Sequence, residues 1–149
     1  MSNAVTLEIR AGVADLRLNR PDKMNAVDEG IMTWLYEALV TLRENKSVRV
    51  VVLSGNGKAF CSGLDFSNFG DMLSGDLSTD SAAEAYDDLS EARANYAQQI
   101  GWGWQELSVP VIAAVHGAAI GGGLNIAQGK ENAEQLRSGS CARGAYRGE

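Results

Sequence analysis

Apolar and polar residues alternate at the start of the chain. Val5, Leu7 and Ile9 share one parity, and after Ala11-Gly12 the pattern resumes at Ala14, Leu16 and Leu18. A period of two, broken by a short glycine-containing turn, predicts a β-hairpin. Arg20, Pro21, Asp22 and Lys23 end the second strand, because proline has no N–H to give a ladder. A helical period follows. Val27, Ile31, Leu35, Ala38, Leu39 and Leu42 fall on one face, bordered by Trp34. Asn25 or Asp28 supplies the N-cap, and the helix ends near Glu44, Asn45 and Lys46. Val48, Val50, Val51, Val52 and Leu53 form an apolar run without alternation. Such a run predicts a strand covered on both faces, as in a parallel sheet.

Ser54, Gly55, Asn56 and Gly57 read as a turn. The segment KAFCSGLD, residues 58–65, is a tight loop of small residues. Residues 66–80 are rich in Ser, Gly and Asp and predict a mobile loop. Asp80 or Ser81 caps a second helix carrying Ala82, Tyr86, Leu89, Ala92 or Arg93, Tyr96 and Ile100, continued less regularly by IGWGWQEL. Pro110 introduces a second buried strand over residues 111–115. Gly121, Gly122 and Gly123 then close an apolar segment and open a helix. Strand, helix and strand follow in the order of right-handed βαβ units. Residues 128–149 hold one Leu and one Tyr among charged and small residues. They predict a helix that frays by Leu136 and a divergent, disordered tail.

The chain has 149 residues, enough for one domain. Its net charge of −6 argues against a general polyanion binder such as a DNA-coating protein. A small anionic ligand held by a local basic patch stays open. Cys61 and Cys141 form no disulfide framework or metal spacing, so free thiols in a reducing cytosol are expected. Residues 1–30 lack the pattern of a signal peptide, and no apolar run is long enough to span a bilayer. A soluble, cytoplasmic protein without membrane or nucleic-acid partners is the expectation.

Nucleotide motifs fail. A P-loop would need Ser or Thr after Gly57-Lys58, where Ala59 stands, and a glycine at Val52. A dinucleotide fingerprint would need a third glycine where Phe60 stands. Ser62 and His116 both sit in glycine-flanked loops, yet the nucleophile elbow is absent because Phe60 precedes Cys61-Ser62-Gly63. His116 reads as a hydrogen-bonded structural residue and Cys61 as a small packed one. Trp34, Trp102 and Trp104 read as core or interface. Asp71, Asp76, Asp80, Asp87 and Asp88 read as solvated surface, with a role for one of them as an acid or base left open. Zinc and calcium motifs are absent, and no metal is expected.

One constellation remains. KAFCSGLD follows one buried strand and HGAAIGGGLN follows the next. In a parallel sheet both loops emerge at the same carboxyl edge, where ligands bind. One backbone N–H from each loop then converges on a single carbonyl oxygen. Each such donor is worth roughly 3–4 kcal/mol in a transition state. The glycine triplet alone also fits a close-packing or turn role.

The set RPDKMNAV, GNGKAFCSGLDF and PVIAAVHGAAIGGGLNIA, in this order, resembles the crotonase superfamily, the enoyl-CoA hydratase/isomerase family. The match covers about residues 5–127. The resemblance implies an α/β fold, a spiral of ββα units incomplete at the C-terminus, with residues 1–127 forming the N-terminal part of the domain. It implies assembly as a trimer or a dimer of trimers. It also implies hydratase or isomerase chemistry on acyl-CoA thioesters, as in fatty acid metabolism, with coenzyme A as part of the substrate and no further cofactor. By resemblance, the backbone N–H groups of Leu64 and Gly122 form an oxyanion hole that stabilises a thioester enolate. Met24, Ala26, Ala59, Ser62, Gly63, Leu64, Asp65 and Gly122 match positions that line the substrate site, and Lys23 and Lys58 lie near CoA phosphates.

Two departures stand out. Hydratases of the family carry a catalytic Glu two residues after the glycine triplet; here the residue is Asn125, and an amide cannot transfer protons as a carboxylate does. The second family carboxylate falls by resemblance at Ala145. The family continues well beyond this length, and the change of character at Gln128 reads as a truncation or a frame shift. Such a chain would expose apolar surface and associate. A catalytically incompetent acyl-CoA-binding or interaction protein is the alternative expectation.

Overall fold

The alternating segments form a hairpin. In the computed structural model, which describes residues 4–65 and 96–127, β1 (Val5–Arg10) and β2 (Val13–Leu18) pair antiparallel. Their register runs from Val5 opposite Leu18 to Arg10 opposite Val13. Ala14, Leu16 and Leu18 are buried on one face. Ala11 and Gly12 turn the chain with φ of 51° and 83°, a left-handed conformation that costs glycine little.

β2 then pairs parallel with β3 (Val50–Gly55), and β3 parallel with β4 (Val111–Ala113). The sheet order is β1-β2-β3-β4. Ser54 and Gly55 belong to β3 rather than to the turn. Val48 lies before β3 yet is buried. β3 is continuously apolar, but Val51 and Leu53 are fully buried while Val50 and Val52 are half-buried. One face therefore meets the core, and the described residues cover the other only in part.

The crossover from β2 to β3 carries α1 (Glu29–Glu44). Asp28 caps it, accepting from the Ile31 N–H at 2.8 Å. Asn25 is not the cap. The predicted stripe packs onto the sheet through Ile31, Leu35, Ala38, Leu39 and Leu42. Fully burying each large side chain contributes roughly 1.5–3 kcal/mol. Val27 belongs to the core as well, but from the loop ahead of the helix.

α2 (Tyr96–Trp102) lies against α1 and against α3 (Gly122–Ala127). Trp104 is fully buried, and its indole N–H donates to the Ile100 carbonyl at 2.6 Å. Trp34 and Trp102 are exposed, so only one of the three tryptophans is core. Arg43 at the end of α1 pairs with Glu106 beyond α2. Among the described residues no helix is long and apolar enough to cross a membrane. The expected loop at 66–80, the helix cap at Asp80 or Ser81 and the tail at 128–149 lie outside the described residues.

Candidate functional site

Because β3 and β4 run parallel, the loops after them leave from the same end of the sheet. Backbone bonds tie the loops together. Phe60 N–H donates to the His116 carbonyl at 2.8 Å, Cys61 N–H to Ala118 at 3.0 Å, and Ile120 N–H to Cys61 at 3.1 Å. Two close contacts complete the seam. Gly63, with φ of 95°, lies so near the second loop that a Cβ there would sit 2.8 Å from the Ile120 carbonyl oxygen. At Gly123 a Cβ would sit 2.5 Å from the Cys61 carbonyl oxygen and 2.8 Å from its Sγ. Only glycine permits either approach. The third glycine of the triplet is thus a packing residue.

Gly121 and Gly122 differ from Gly123. A Cβ at either would meet nothing within 4 Å. They face open space beside the Gly63 contact. The left-handed residue is Gly121, with φ of 53°, not Gly122. Gly122 begins α3, and its N–H has no partner among the described residues. Gly121 instead supplies the carbonyl that accepts from Leu124 at 3.0 Å and Asn125 at 3.1 Å.

Leu64 is the counterpart on the first loop. It forms an isolated parallel bridge with Val27. Val27 bonds to the neighbours of Leu64, donating to the Gly63 carbonyl at 2.7 Å and accepting from the Asp65 N–H at 2.9 Å. The Leu64 N–H therefore points away from Val27 and has no partner among the described residues. Two N–H groups without a partner among the described residues, of Leu64 and Gly122, flank the point where Gly63 meets residues 120–121. Around them Met24, Leu64 and Ile120 expose 51%, 47% and 58% of their surface, giving the opening an apolar rim. Such a rim suits an apolar ligand carrying a hydrogen-bond-accepting oxygen.

The other residues singled out by sequence serve differently. Ala26 and Ala59 are buried, and their carbonyls accept from Arg20 and Asn25 at 2.8 Å each. They give the loops room to pack. Ser62 bonds through its backbone to the Met24 carbonyl at 3.0 Å. Asp65 is ion-paired with Arg20 at 3.0 Å. Lys23 and Lys58 are exposed, on the loops after β2 and β3.

Sequence reading missed Asn25 and Arg20. Asn25 is fully buried, in the left-handed region at φ 55°. Its side chain accepts from the Arg20 N–H at 2.8 Å and donates to the Asn56 and Ala59 carbonyls at 2.9 and 2.8 Å. It staples the loop after β2 to the loop after β3. Arg20 bonds Ala26, Asp28 and Asp65 together. No local spacing announces these links, because their partners lie up to 45 residues away.

His116 and Cys61 behave as structural residues. His116 Nε2 lies 3.0 Å from the Gly57 carbonyl oxygen. Cys61 is buried, and desolvation pushes its thiol pKa up, opposed by a bond from the Gly63 backbone. A buried thiol of this kind is a poor nucleophile. Among the described residues no group of three His, Cys, Asp or Glu is placed to hold a metal.

Comparison with known proteins gives this arrangement its context. Residues 8–129 match the model of the family described as enoyl-CoA hydratase/isomerase. The chain belongs to the enoyl-CoA hydratase/isomerase family. A peroxisomal Delta(3,5)-Delta(2,4)-dienoyl-CoA isomerase of Arabidopsis thaliana is 33% identical over 131 residues, 85% of this chain and 47% of the isomerase. An (E)-benzylidenesuccinyl-CoA hydratase of Thauera aromatica is 36% identical over 124 residues, 83% of this chain and 43% of the hydratase. The crystal structure of a protein from Mycobacterium abscessus, assigned as an enoyl-CoA hydratase/isomerase, superposes with a TM-score of 0.68 at 34% identity, covering 86% of this chain and 46% of that one. The fold is the crotonase fold of these hydratases and isomerases. The chain spans less than half the length of each of these relatives.

Proposed function

We propose that this chain carries the acyl-CoA-activating part of an enoyl-CoA hydratase/isomerase-type site. In this reading the N–H groups of Leu64 and Gly122 form an oxyanion hole. They donate to the thioester carbonyl and stabilise the enolate-like anion formed when charge moves onto that oxygen. The supporting observation is the pair of N–H groups without a partner among the described residues, on two hydrogen-bonded loops open to an apolar rim. Both donors are backbone groups held by neighbouring bonds, so little reorganisation accompanies charge development. Met24, Leu64 and Ile120 shield the acyl carbons, while Lys23 and Lys58 face the phosphates of coenzyme A. No separate cofactor enters the reaction. For the whole protein we propose assembly as a trimer or a dimer of trimers, and a cytoplasmic location.

A second reading is acyl-CoA binding without turnover. Asn125 favours it. It lies three residues after Gly122 on α3, exposed, and carries an amide rather than a carboxylate. An amide can orient a substrate oxygen but cannot shuttle its proton.

Isothermal titration tests the common core of both readings. An acyl-CoA thioester binds, whereas NAD and ATP do not. Gly122→Val places a branched side chain in the open space beside the N–H and abolishes thioester binding with the circular dichroism of the parent preserved. Nucleotide binding without thioester binding contradicts the proposal, as does a folded Gly122→Val chain that binds like the parent. Turnover of a panel of enoyl-CoA esters then separates enzyme from binder.

A further inference from the structure

We infer that Arg20 is a positioning residue for the Leu64 N–H, acting through two peptide units in series. The inference rests on the oxyanion-hole reading above and adds to it a residue remote from the ligand.

In a trans peptide unit the C=O and the following N–H point in opposite directions within one plane. Aim one and the other is aimed. Arg20 Nη1 donates to the Ala26 carbonyl at 2.8 Å. That carbonyl shares its peptide unit with the Val27 N–H, which donates to the Gly63 carbonyl at 2.7 Å. The Gly63 carbonyl in turn shares its unit with the Leu64 N–H. The order is guanidinium, peptide unit 26–27, peptide unit 63–64, and then the open site. The Leu64 N–H is therefore directed by a chain of hydrogen bonds that begins at a cation. Such chains polarise one another cooperatively, which strengthens the terminal donor.

Arg20 is itself well anchored. Nη1 lies 2.9 Å from Asp28 Oδ2, and Nη2 lies 3.0 Å from Asp65 Oδ2. Asp28 caps α1, and Asp65 directly follows Leu64. The fork of the guanidinium thus ties the helix start, the first peptide unit and the residue after the donor together. A lysine cannot reproduce this, because an ammonium lacks the planar fork. The two carboxylates offset much of the net charge, so geometry is the larger contribution. Gly122 stands outside the relay, since it is positioned through the Cys61–Gly123 contact.

The experiment uses butyryl-CoA labelled with 13C at the thioester carbonyl, bound to the parent, Arg20→Gln and Arg20→Lys. A carbonyl that accepts strong hydrogen bonds moves downfield. The parent shows the full downfield shift, Arg20→Gln a much reduced one and Arg20→Lys an intermediate one. Butyryl-CoA affinity falls roughly tenfold in Arg20→Gln relative to free CoA affinity, the size expected when one hydrogen bond to the ligand is lost. A simple loosening of the fold would weaken both ligands alike and would count against the inference. A parent-like carbonyl shift in Arg20→Gln overturns it. Should Arg20→Gln fail to fold, a parent-like shift in Arg20→Lys overturns it equally. If the parent shows no downfield shift, the oxyanion-hole reading itself fails. Amide exchange then decides the geometric claim. Faster exchange at Val27 and Asp65 in Arg20→Gln, with Val51 and Ala114 unchanged, supports it; unchanged protection at Val27 and Asp65 refutes it.

Discussion

At Gly122 and Gly123, adjacent residues of the same type serve opposite purposes. Gly123 is glycine because Cys61 occupies the space of a Cβ, whereas Gly122 faces open space. Gly123→Ala is expected to destabilise the fold by about 1–3 kcal/mol through overpacking against backbone. Gly122→Ala is expected to be neutral or slightly stabilising, because alanine favours a helix by up to about 1 kcal/mol. Urea midpoints of the two variants check the contrast. Asn25 offers a second test. Asn25→Ala leaves the Arg20 N–H and the carbonyls of Asn56 and Ala59 without their side-chain partner. The Ala59 bond is buried and the other two are partly buried; a loss of about 1–3 kcal/mol follows for a buried group left unsatisfied, read in the same measurement. Neither role was legible in sequence. Asn25 resembles an N-cap in its spacing from α1, and only the loop 31–34 residues away makes it a staple. Likewise the triplet announced a glycine-dependent site, but not that Gly121 carries the positive φ and Gly123 the tight contact.

Elements were more legible than residues, because they depend on periodicity. Alternation at Val5–Arg10 and Val13–Leu18 gave the hairpin, and the stripe from Ile31 to Leu42 gave α1. The parallel pairing of β3 with β4 followed from the apolar runs and brought the two loops to one edge, as expected. Boundaries drifted where a residue is buried without joining its element, as at Val27 and Val48. The core side of α1 makes a direct prediction. Leu35→Ala, at a fully buried position, should cost about 2–5 kcal/mol, read from the shift of the urea midpoint. The seam between the loops predicts a pH effect. Burial raises the Cys61 thiol above its ordinary value of 9.0. The folded state thus holds its proton longer than the unfolded chain does. The resulting stability is fully present below that value and is lost as pH rises from there through the folded pKa. Stability of the parent should fall more steeply than that of Cys61→Ala as pH rises above 9.0. Parallel pH profiles would contradict the burial of the thiol.

On the scale of the whole molecule, the chain combines a crotonase-fold sheet and two hydrogen-bonded loops at one sheet edge with less than half the length of its relatives. The residues that would carry proton transfer in a hydratase are the least well provided for. Asn125 stands where the resemblance implies a carboxylate, and Ala145 lies outside the described residues. On the proposed reading, the chain contributes the two N–H donors that bind and polarise a thioester carbonyl. Family and fold were legible because the three motifs are fixed by backbone geometry: small residues where loops touch, and glycines where a side chain would not fit. The Arg20 relay was not, because it joins peptide units that only the folded chain aligns.

Titration of the 15N-labelled chain with butyryl-CoA tests the central claim most directly. The account predicts that the Leu64 and Gly122 amide protons move downfield together and saturate with one affinity, and that free CoA leaves both in place. Saturation by butyryl-CoA that shifts other amides while those of Leu64 and Gly122 stay still would contradict it.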